Sequence, residues 1–202
     1  MPPPIPKRLP RDFLVYCGNA GAAVTLEVHL DLQCPFSKRG WGNVKQLKDR
    51  YSADQLRIVF YPFTLFTHQW AWIAHHSATT VGLLKGRDAF FSIVDKAFEE
   101  QEKFQHAAGR DKTPADVEAV FAEWAAGVGC DKAEFAAAFE SDEGYLAPKE
   151  AQRVGILRQV WSTPTFFLNG VEADKMGSGK SPDEWAEVLD GMIGTAGGAG
   201  GE

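Results

Sequence analysis

The chain has 202 residues, of which 45% are hydrophobic, and a formal net charge of -6. This size and composition are typical of one globular domain with a full core, and the acidic balance argues against a nucleic-acid-binding protein, which is usually basic. No apolar run approaches the roughly 18 residues that indicate a membrane span, so no membrane partner is expected.

Residues 1–21 are predicted to form a Pro-rich N-terminal extension. Its prolines stand beside basic residues, and no apolar stretch follows them as a secretory signal requires. The chain has three cysteines, Cys17, Cys34 and Cys130, which cannot all pair within one chain. Without an export signal we expect reduced thiols and a cytoplasmic location. No cluster of Cys, His and acidic residues has metal-site spacing, so no metal is predicted.

A strand, a helix and a second strand are predicted after this extension. Residues 24–33 alternate strictly between apolar and polar side chains, which is typical of a strand. Pro35 directly follows Cys34 and suits the first turn of a helix, where a missing N–H costs nothing. Residues 56–61 are apolar almost throughout, as in a buried parallel strand. The order is β-α-β, and it places Cys34 at the strand-to-helix turn.

A wholly helical block is predicted from residue 68 to residue 145. Its first two helices are expected at about 69–84 and 87–104. Thr113 and Pro114 are a cap and a first-turn proline for the third helix, and Asp131 is predicted to cap the fourth. Aromatic residues in this block have the spacing of core residues: Trp70, Trp72, Phe90, Phe91 and Phe98.

After a fifth helix, at about 146–160, strand signals return at residues 165–168. Asn169-Gly170 predicts a tight hairpin turn into a short strand at Val171 and Glu172. A capping-box pattern that begins at Ser181 opens the last helix. The Gly-rich residues 194–202 are predicted to be a flexible tail. A mixed sheet with helices on both faces, an α/β fold, accommodates this order.

Two motifs in this chain resemble those of DsbA-like thioredoxin-fold proteins. The segment DLQCPFSKRGW at 31–41 resembles the family's Asp-x-x-Cys-Pro-x-Cys active-site segment. Far downstream, WSTPTFFLNG at 161–170 resembles its cis-proline loop and the hairpin that follows. The resemblance implies a thioredoxin-like domain formed by residues 22–67 and 146–193, with an all-helical insertion at 68–145.

Three positions depart from the pattern of that family. The second cysteine of the motif is replaced by Ser37, which removes the resolving thiol. Trp161 and Ser162 stand where a small, Gly-containing run is expected before the proline. Val28 occupies the position at which many thioredoxin-fold redox proteins carry a buried acid. The last two departures bear on partner docking and on proton handling.

Cys34 is the candidate nucleophile. Its sulfur would lie at a helix N-terminus, where unpaired N–H groups and the helix dipole favour the thiolate. Lys38 and Arg39 add positive charge, and the Ser37 hydroxyl is positioned to hydrogen-bond the thiolate. The alternative is that Cys34 is a small buried residue. By the resemblance, a cis Thr163-Pro164 bond faces the nucleophile, and substrate contacts are assigned to four residues: Pro35, Phe36, Thr163 and Pro164.

Other reactive side chains are interpreted as structural. Cys17 and Cys130 are interpreted as structural or incidental thiols, because neither spacing places them beside Cys34. His75 and His76 are interpreted as surface or packed side chains, although one of them facing Cys34 would tune its protonation. His29 is likewise interpreted as structural, with a proton relay as the alternative.

These residues predict a monothiol thiol-disulfide oxidoreductase. One thiolate is enough to attack a disulfide, and an outside thiol then resolves the mixed disulfide. Glutathione is the candidate co-substrate, no cofactor is predicted to be tightly bound, and the partners are glutathione or protein thiols and disulfides. Two alternatives stay open: a kappa-like glutathione transferase or isomerase, and a redox-inactive peptide-binding module. A cluster-binding monothiol glutaredoxin is disfavoured by Pro35 and the helical block.

Overall fold

A mixed five-stranded sheet forms the centre of the fold, with the strand order β1-β3-β2-β4-β5. The computed structural model of the protein describes residues 10–105 and 109–198. The strands are β1 (Val15–Cys17), β2 (Val24–Leu30), β3 (Leu56–Pro62), β4 (Thr165–Leu168) and β5 (Val171–Glu172). β2 and β3 are parallel, and the other neighbouring pairs are antiparallel. The predicted β-α-β order and the hairpin are therefore confirmed.

Seven α-helices surround the sheet within the described residues. α1 (Pro35–Lys48) follows β2, and α7 (Pro182–Gly198) follows the hairpin. Five helices lie between β3 and β4: α2 (Ala71–Lys85), α3 (Arg87–Glu99), α4 (Pro114–Gly127), α5 (Lys132–Phe139) and α6 (Asp142–Leu157). No helix in the described ranges combines the length and the apolar character needed to cross a membrane.

Side-chain caps fix several helix starts where the sequence predicts them. Thr113 Oγ1 accepts from the Asp116 N–H while Asp116 accepts from the Thr113 N–H, which is a capping box. Asp131 caps α5 through two backbone N–H groups. Ser181 and Glu184 make the same reciprocal pair at the start of α7. At the β4–β5 turn, Asn169 and Gly170 have φ of 48° and 83°, as a type I′ turn requires.

Helices cover both faces of β2. Its apolar residues, such as Val28, pack in the main core. Its polar residues Glu27 and His29 face the C-terminal end of α6, and they are buried as well. Gly155 allows this contact, since a Cβ there would lie 2.3 Å from Phe63 Cδ2 and 3.1 Å from His29 Nδ1.

Strand β1 lies within residues 1–21, where the sequence predicted an extension and no strand. Val15 pairs with Val59 and Cys17 with Ile58, so β3 is no longer an edge strand on that side. The preceding 3-10 turn, Asp12–Leu14, buries Phe13 and Leu14. A strand of three residues is too short to show a period of apolar and polar side chains, and β3, with which it pairs, lies about 40 positions away. Residues 1–9, which hold four of the five prolines of the predicted extension, lie outside the described residues.

Four element boundaries differ from the predicted ones. β2 ends at Leu30 because residues 31–34 form a turn closed by the Cys34 N–H and the Asp31 carbonyl at 3.0 Å. The predicted helix 87–104 stops at Glu99, and a 3-10 turn, Gln101–Lys103, follows. α6 begins at Asp142 because Ser141 caps it. α7 extends through Gly198, so the first part of the predicted flexible tail is helical. Residues 199–202 lie outside the described residues.

Candidate active site

Cys34 is the N-cap residue of α1, with Pro35 at the first helical position. Its thiol lies at the helix end where backbone N–H groups lack helical partners. The Sγ atom donates a hydrogen bond to the Thr163 carbonyl at 3.3 Å. Cys34 is only 3% exposed, so the sulfur is covered in this conformation. The strand-to-helix turn therefore holds the Cys34 thiol against the Thr163-Pro164 loop. The sequence predicted both segments.

The loop opposite Cys34 contains a cis peptide bond between Thr163 and Pro164. Gly40, on α1, lets the helix approach this loop: a Cβ there would lie 3.4 Å from Pro164 Cγ and 3.1 Å from Phe166. The structure thus brings Cys34, Thr163 and Pro164 together across 129 positions of sequence. Pro35 is exposed in the first turn of α1, and Phe36 beside it is 57% exposed.

Ser37 is buried one helical turn after Cys34. Its Oγ accepts a hydrogen bond from the Asp31 N–H at 3.1 Å. Among the hydrogen bonds of the described residues, none joins Ser37 to the Cys34 sulfur. In this conformation the hydroxyl holds the strand-to-helix turn, and the thiol interacts with the cis-proline loop instead.

The Asp31–Cys34 turn is buried, and Asp31 organises much of it. Its Oδ1 accepts from the Gln33 N–H at 2.8 Å, and its Oδ2 accepts from the Leu65 N–H at 2.8 Å. Oδ2 also lies 2.9 Å from His68 Nδ1, and this hydrogen bond raises the pKa of His68. The carboxylate therefore joins the thiol turn to the β3–α2 loop.

The helical block reaches the same turn through two buried glutamines. Gln101 Nε2 donates to the Leu32 carbonyl at 2.8 Å and to the Cys34 carbonyl at 3.0 Å. In the other direction, Gln33 Nε2 donates to the Phe104 carbonyl, and Gln33 Oε1 accepts from the Trp70 N–H, both at 2.8 Å. Sequence reasoning missed these contacts, because a glutamine has no distinctive spacing.

The neighbouring histidines are packed side chains, as interpreted from sequence. His75 Nε2 accepts from the Leu32 N–H at 3.3 Å, and burial lowers the pKa of His75 to about 4. His75 therefore contacts the thiol turn, but as a neutral acceptor. His76 stacks on Phe139 with ring centroids 3.8 Å apart. Burial lowers its pKa to about 4 as well.

His29 lies on the opposite face of the sheet from the main core. Its ring stacks on Tyr61 at 5.0 Å, and neither ring nitrogen has a hydrogen-bond partner within the described chain. Burial, with a smaller contribution from Arg158, lowers the pKa of His29 to about 3. No hydrogen bond joins it to Cys34 among the described residues, so the structure gives no support to a relay through His29.

Cys17, Cys34 and Cys130 are all free thiols. Cys17 is in β1, and Cys130 is buried between α4 and α5. Burial raises the pKa of both Cys17 and Cys130, which disfavours their reactive thiolates. Among the hydrogen bonds of the described residues, none joins either of these thiols to Cys34. The described residues contain no group of three His, Cys, Asp or Glu side chains arranged to hold a metal ion.

Three exposed aromatic side chains belong to the segments that form the site. Phe36 is in the first turn of α1, and Trp161, 85% exposed, precedes the cis-proline loop. Phe66, 97% exposed, follows Leu65, whose N–H binds Asp31. These three side chains therefore place exposed apolar surface on the segments that form the site.

Comparison with known proteins agrees with this fold. A family model described as thioredoxin, Thioredoxin_4, matches residues 13–191. A protein-disulfide isomerase candidate from Pseudomonas syringae is 20% identical, with a TM-score of 0.78 over 88% of this chain and 98% of that one. α-DsbA1 from Wolbachia pipientis is 17% identical, with a TM-score of 0.73 over 94% of each chain. BdbD from Bacillus subtilis is 17% identical, with a TM-score of 0.69 over 89% of this chain and 92% of that one.

The search of curated proteins finds no match to this sequence. At the identities given above, the matched structures establish the fold. The predicted α/β architecture, a thioredoxin-like fold with a helical insertion, is thereby confirmed.

Proposed function

Because this chain belongs to the thioredoxin family that Thioredoxin_4 represents, we propose that it is a monothiol thiol-disulfide oxidoreductase whose single active sulfur is that of Cys34. One observation carries the proposal: Cys34 Sγ lies at the N-terminus of α1, 3.3 Å from the carbonyl of the residue that precedes the cis-proline. Helix N-terminal N–H groups stabilise a thiolate, and the thiolate is the nucleophile in disulfide exchange.

The proposed cycle has two exchange steps. Cys34 gives its thiol proton to solvent, and its sulfur attacks a substrate disulfide, so that one S–S bond forms as another breaks. The departing thiolate takes up a proton. Since Ser37 supplies no second thiol, a glutathione thiolate attacks the mixed disulfide and releases the Cys34 thiolate. The net reaction converts one substrate disulfide and one glutathione thiol into one thiol and one glutathione mixed disulfide.

The site also supports a protein as the first substrate. Phe36, Phe66 and Trp161 place exposed apolar surface on the segments around the thiol. An extended protein segment that carries apolar side chains beside its disulfide fits this surface better than glutathione alone. Glutathione then acts as the resolving co-substrate, and the cycle requires a reducing compartment such as the cytoplasm.

A redox-inactive peptide-binding module is the second candidate. It is favoured by the burial of Cys34 and by the replacement of the second motif cysteine by Ser37. The kappa-like transferase has less support, because the Ser37 hydroxyl is buried and accepts from the Asp31 N–H. Ser37 would have to leave this hydrogen bond to serve a bound glutathione.

The test is turnover of a glutathione mixed disulfide by the full chain. Cys34→Ser should reduce the rate to the uncatalysed level, because no sulfur remains to form the mixed disulfide. Cys17→Ser is the matched control and should keep the wild-type rate. Equal turnover in wild type and Cys34→Ser would reject the oxidoreductase. Peptide binding without turnover in the wild type would favour the binding module instead.

A further inference from the structure

The buried Asp31–Cys34 turn has backbone groups that require partners inside the protein. Buried peptide groups without hydrogen bonds are costly, so such a turn keeps its position only when its neighbours satisfy it. Asp31 and the turn itself satisfy the N–H groups of Gln33 and Cys34. The carbonyl groups of Leu32 and Cys34 point the other way, toward the helical block.

Gln101 satisfies both of these carbonyls with one amide. In the part of the chain that the structure describes, the Leu32 carbonyl accepts only the hydrogen bond from Gln101 Nε2, at 2.8 Å. The Cys34 carbonyl accepts from the same nitrogen and from the Lys38 N–H. Gln101 is 1% exposed, and its Oε1 accepts from Gln105 Nε2 at 2.8 Å. The hydrogen bond from Gln105 therefore fixes the orientation of the Gln101 amide.

We propose that Gln101 is a positioning residue that joins the helical insertion to the thiol turn and keeps Cys34 closed against the cis-proline loop. The inference rests on the proposed function only in taking Cys34 as the reactive thiol. A covered sulfur reacts when its turn opens locally, and an opened turn exposes its carbonyls to water. Without the Gln101 amide, the closed turn leaves the Leu32 carbonyl unsatisfied. In the open turn water satisfies this carbonyl, so loss of the amide does not destabilise the open turn.

The first test measures alkylation of the folded full chain by iodoacetamide, followed at each cysteine by mass spectrometry. In this reaction the thiolate forms a C–S bond and iodide leaves. Gln101→Met keeps the side-chain length but removes the donor. It should increase the alkylation rate of Cys34 about tenfold, because the closed turn then contains an unsatisfied buried carbonyl and is destabilised relative to the open turn. Cys130, which is 1% exposed and lies between α4 and α5, should keep its rate.

Cys130 separates local opening from a general loss of stability. Global unfolding exposes both thiols, so a parallel rise at Cys34 and Cys130 would overturn the proposal. An unchanged rate at both cysteines would also overturn it. Gln46→Met is the matched control, because within the described residues the Gln46 amide donates only to the Gly42 carbonyl of its own helix. It should leave both rates at the wild-type values.

A second variant adds a readout that a purely structural role would not give. Gln101→Glu places a carboxyl against the two carbonyls, and this carboxyl donates a hydrogen bond only when protonated. The ratio of its Cys34 alkylation rate to that of the wild type should rise as pH increases from 5 to 8. The corresponding ratio for Gln101→Met should stay constant. A constant ratio for both variants would contradict the role assigned to the amide.

These readouts do not depend on disulfide turnover. If wild-type protein turns over no mixed disulfide but Gln101→Met still opens Cys34, the proposed function fails while the inference stands. If turnover is present and alkylation is insensitive to Gln101, the inference alone fails.

Discussion

At the scale of single residues, position 37 decides which redox chemistry is available to the site. Ser37 is buried one turn after Cys34, and its Oγ accepts from the Asp31 N–H at 3.1 Å. A hydroxyl group fits this position and cannot form a disulfide. Under the proposed function, the site therefore has one sulfur of its own, and each mixed disulfide needs a thiol from outside.

Ser37→Cys should give the protein dithiol activity. The introduced thiol would be held beside Cys34 in the same helical turn, and exchange within one protein is favoured by a high effective concentration. We expect insulin reduction to rise at least about tenfold over wild type. The control is Cys34→Ser combined with Ser37→Cys, which should stay inactive. A folded Ser37→Cys protein without this gain would contradict the assignment of the active-site turn.

At the scale of elements, α6 connects the helical block to the cis-proline loop. The helix ends at Leu157, and Gln159 follows with a left-handed φ of 57°. The Gln159 N–H donates to the Ile156 carbonyl, and the Val160 N–H donates to the Gly155 carbonyl, both at 3.0 Å. This is the position after a helix where glycine is preferred, since a Cβ is unfavourable in the left-handed region.

Gln159→Gly should therefore stabilise the protein. Glycine removes the energetic cost of a Cβ in the left-handed region, and this effect exceeds the entropy that glycine adds to the unfolded chain. We therefore expect the free energy of unfolding to rise by about 0.5–1 kcal/mol. Urea unfolding measures the change, and activity should stay constant because Gln159 is exposed and outside the thiol turn. Gln159→Ala is the control and should give no gain. A less stable Gln159→Gly would show that this side chain has a role beyond the helix end.

At the scale of the whole molecule, the helices between β3 and β4 both cover the sheet and support the thiol turn. α6 buries the polar face of β2, where His29 lies. On the same side of the molecule, Glu27 and Arg158 form an ion pair. The 3-10 turn after α3 reaches the active-site turn through Gln101. The insertion is thus part of the structural support of the site.

Buried neutral histidines make the stability of the molecule sensitive to acid. The pKa of His29 is lowered to about 3 by burial, from 6.5 in the unfolded chain. The contribution of neutral His29 to the free energy of unfolding is fully present above pH 6.5. It is lost as pH falls toward 3, because the unfolded chain then binds the proton more tightly than the folded chain does. Between pH 6.5 and pH 4 this loss is on the order of 3 kcal/mol.

His29→Phe should remove this part of the acid sensitivity. The new ring is apolar and fits among Tyr61, Phe63 and Phe167, which surround His29. The free energy of unfolding, measured with urea from pH 7 to pH 4, should fall less steeply than in wild type. His76→Phe offers a comparison, since the pKa of His76 is also lowered, to about 4. An unchanged slope in His29→Phe would mean that His29 is not buried as a neutral ring.

The sequence by itself determined the elements whose signals are local. Strand alternation, the helix caps at Thr113 and Asp131, the Asn169-Gly170 turn and the position of Cys34 before Pro35 all depend on a few neighbouring residues. The resemblance of two motifs then predicted that Cys34 and Pro164 meet. The predictions of caps, turns and strand alternation succeed because these signals act within one or two turns of chain.

Only the tertiary structure decided what surrounds those elements. Strand β1 is too short to carry a pattern, and its place is set by pairing with β3. The polar face of β2 is buried because α6 packs over it. Gln101 lies 69 positions from Leu32, and an amide is compatible with almost any surface or core position. Such contacts depend on how distant segments pack, and no local pattern of side chains records that packing.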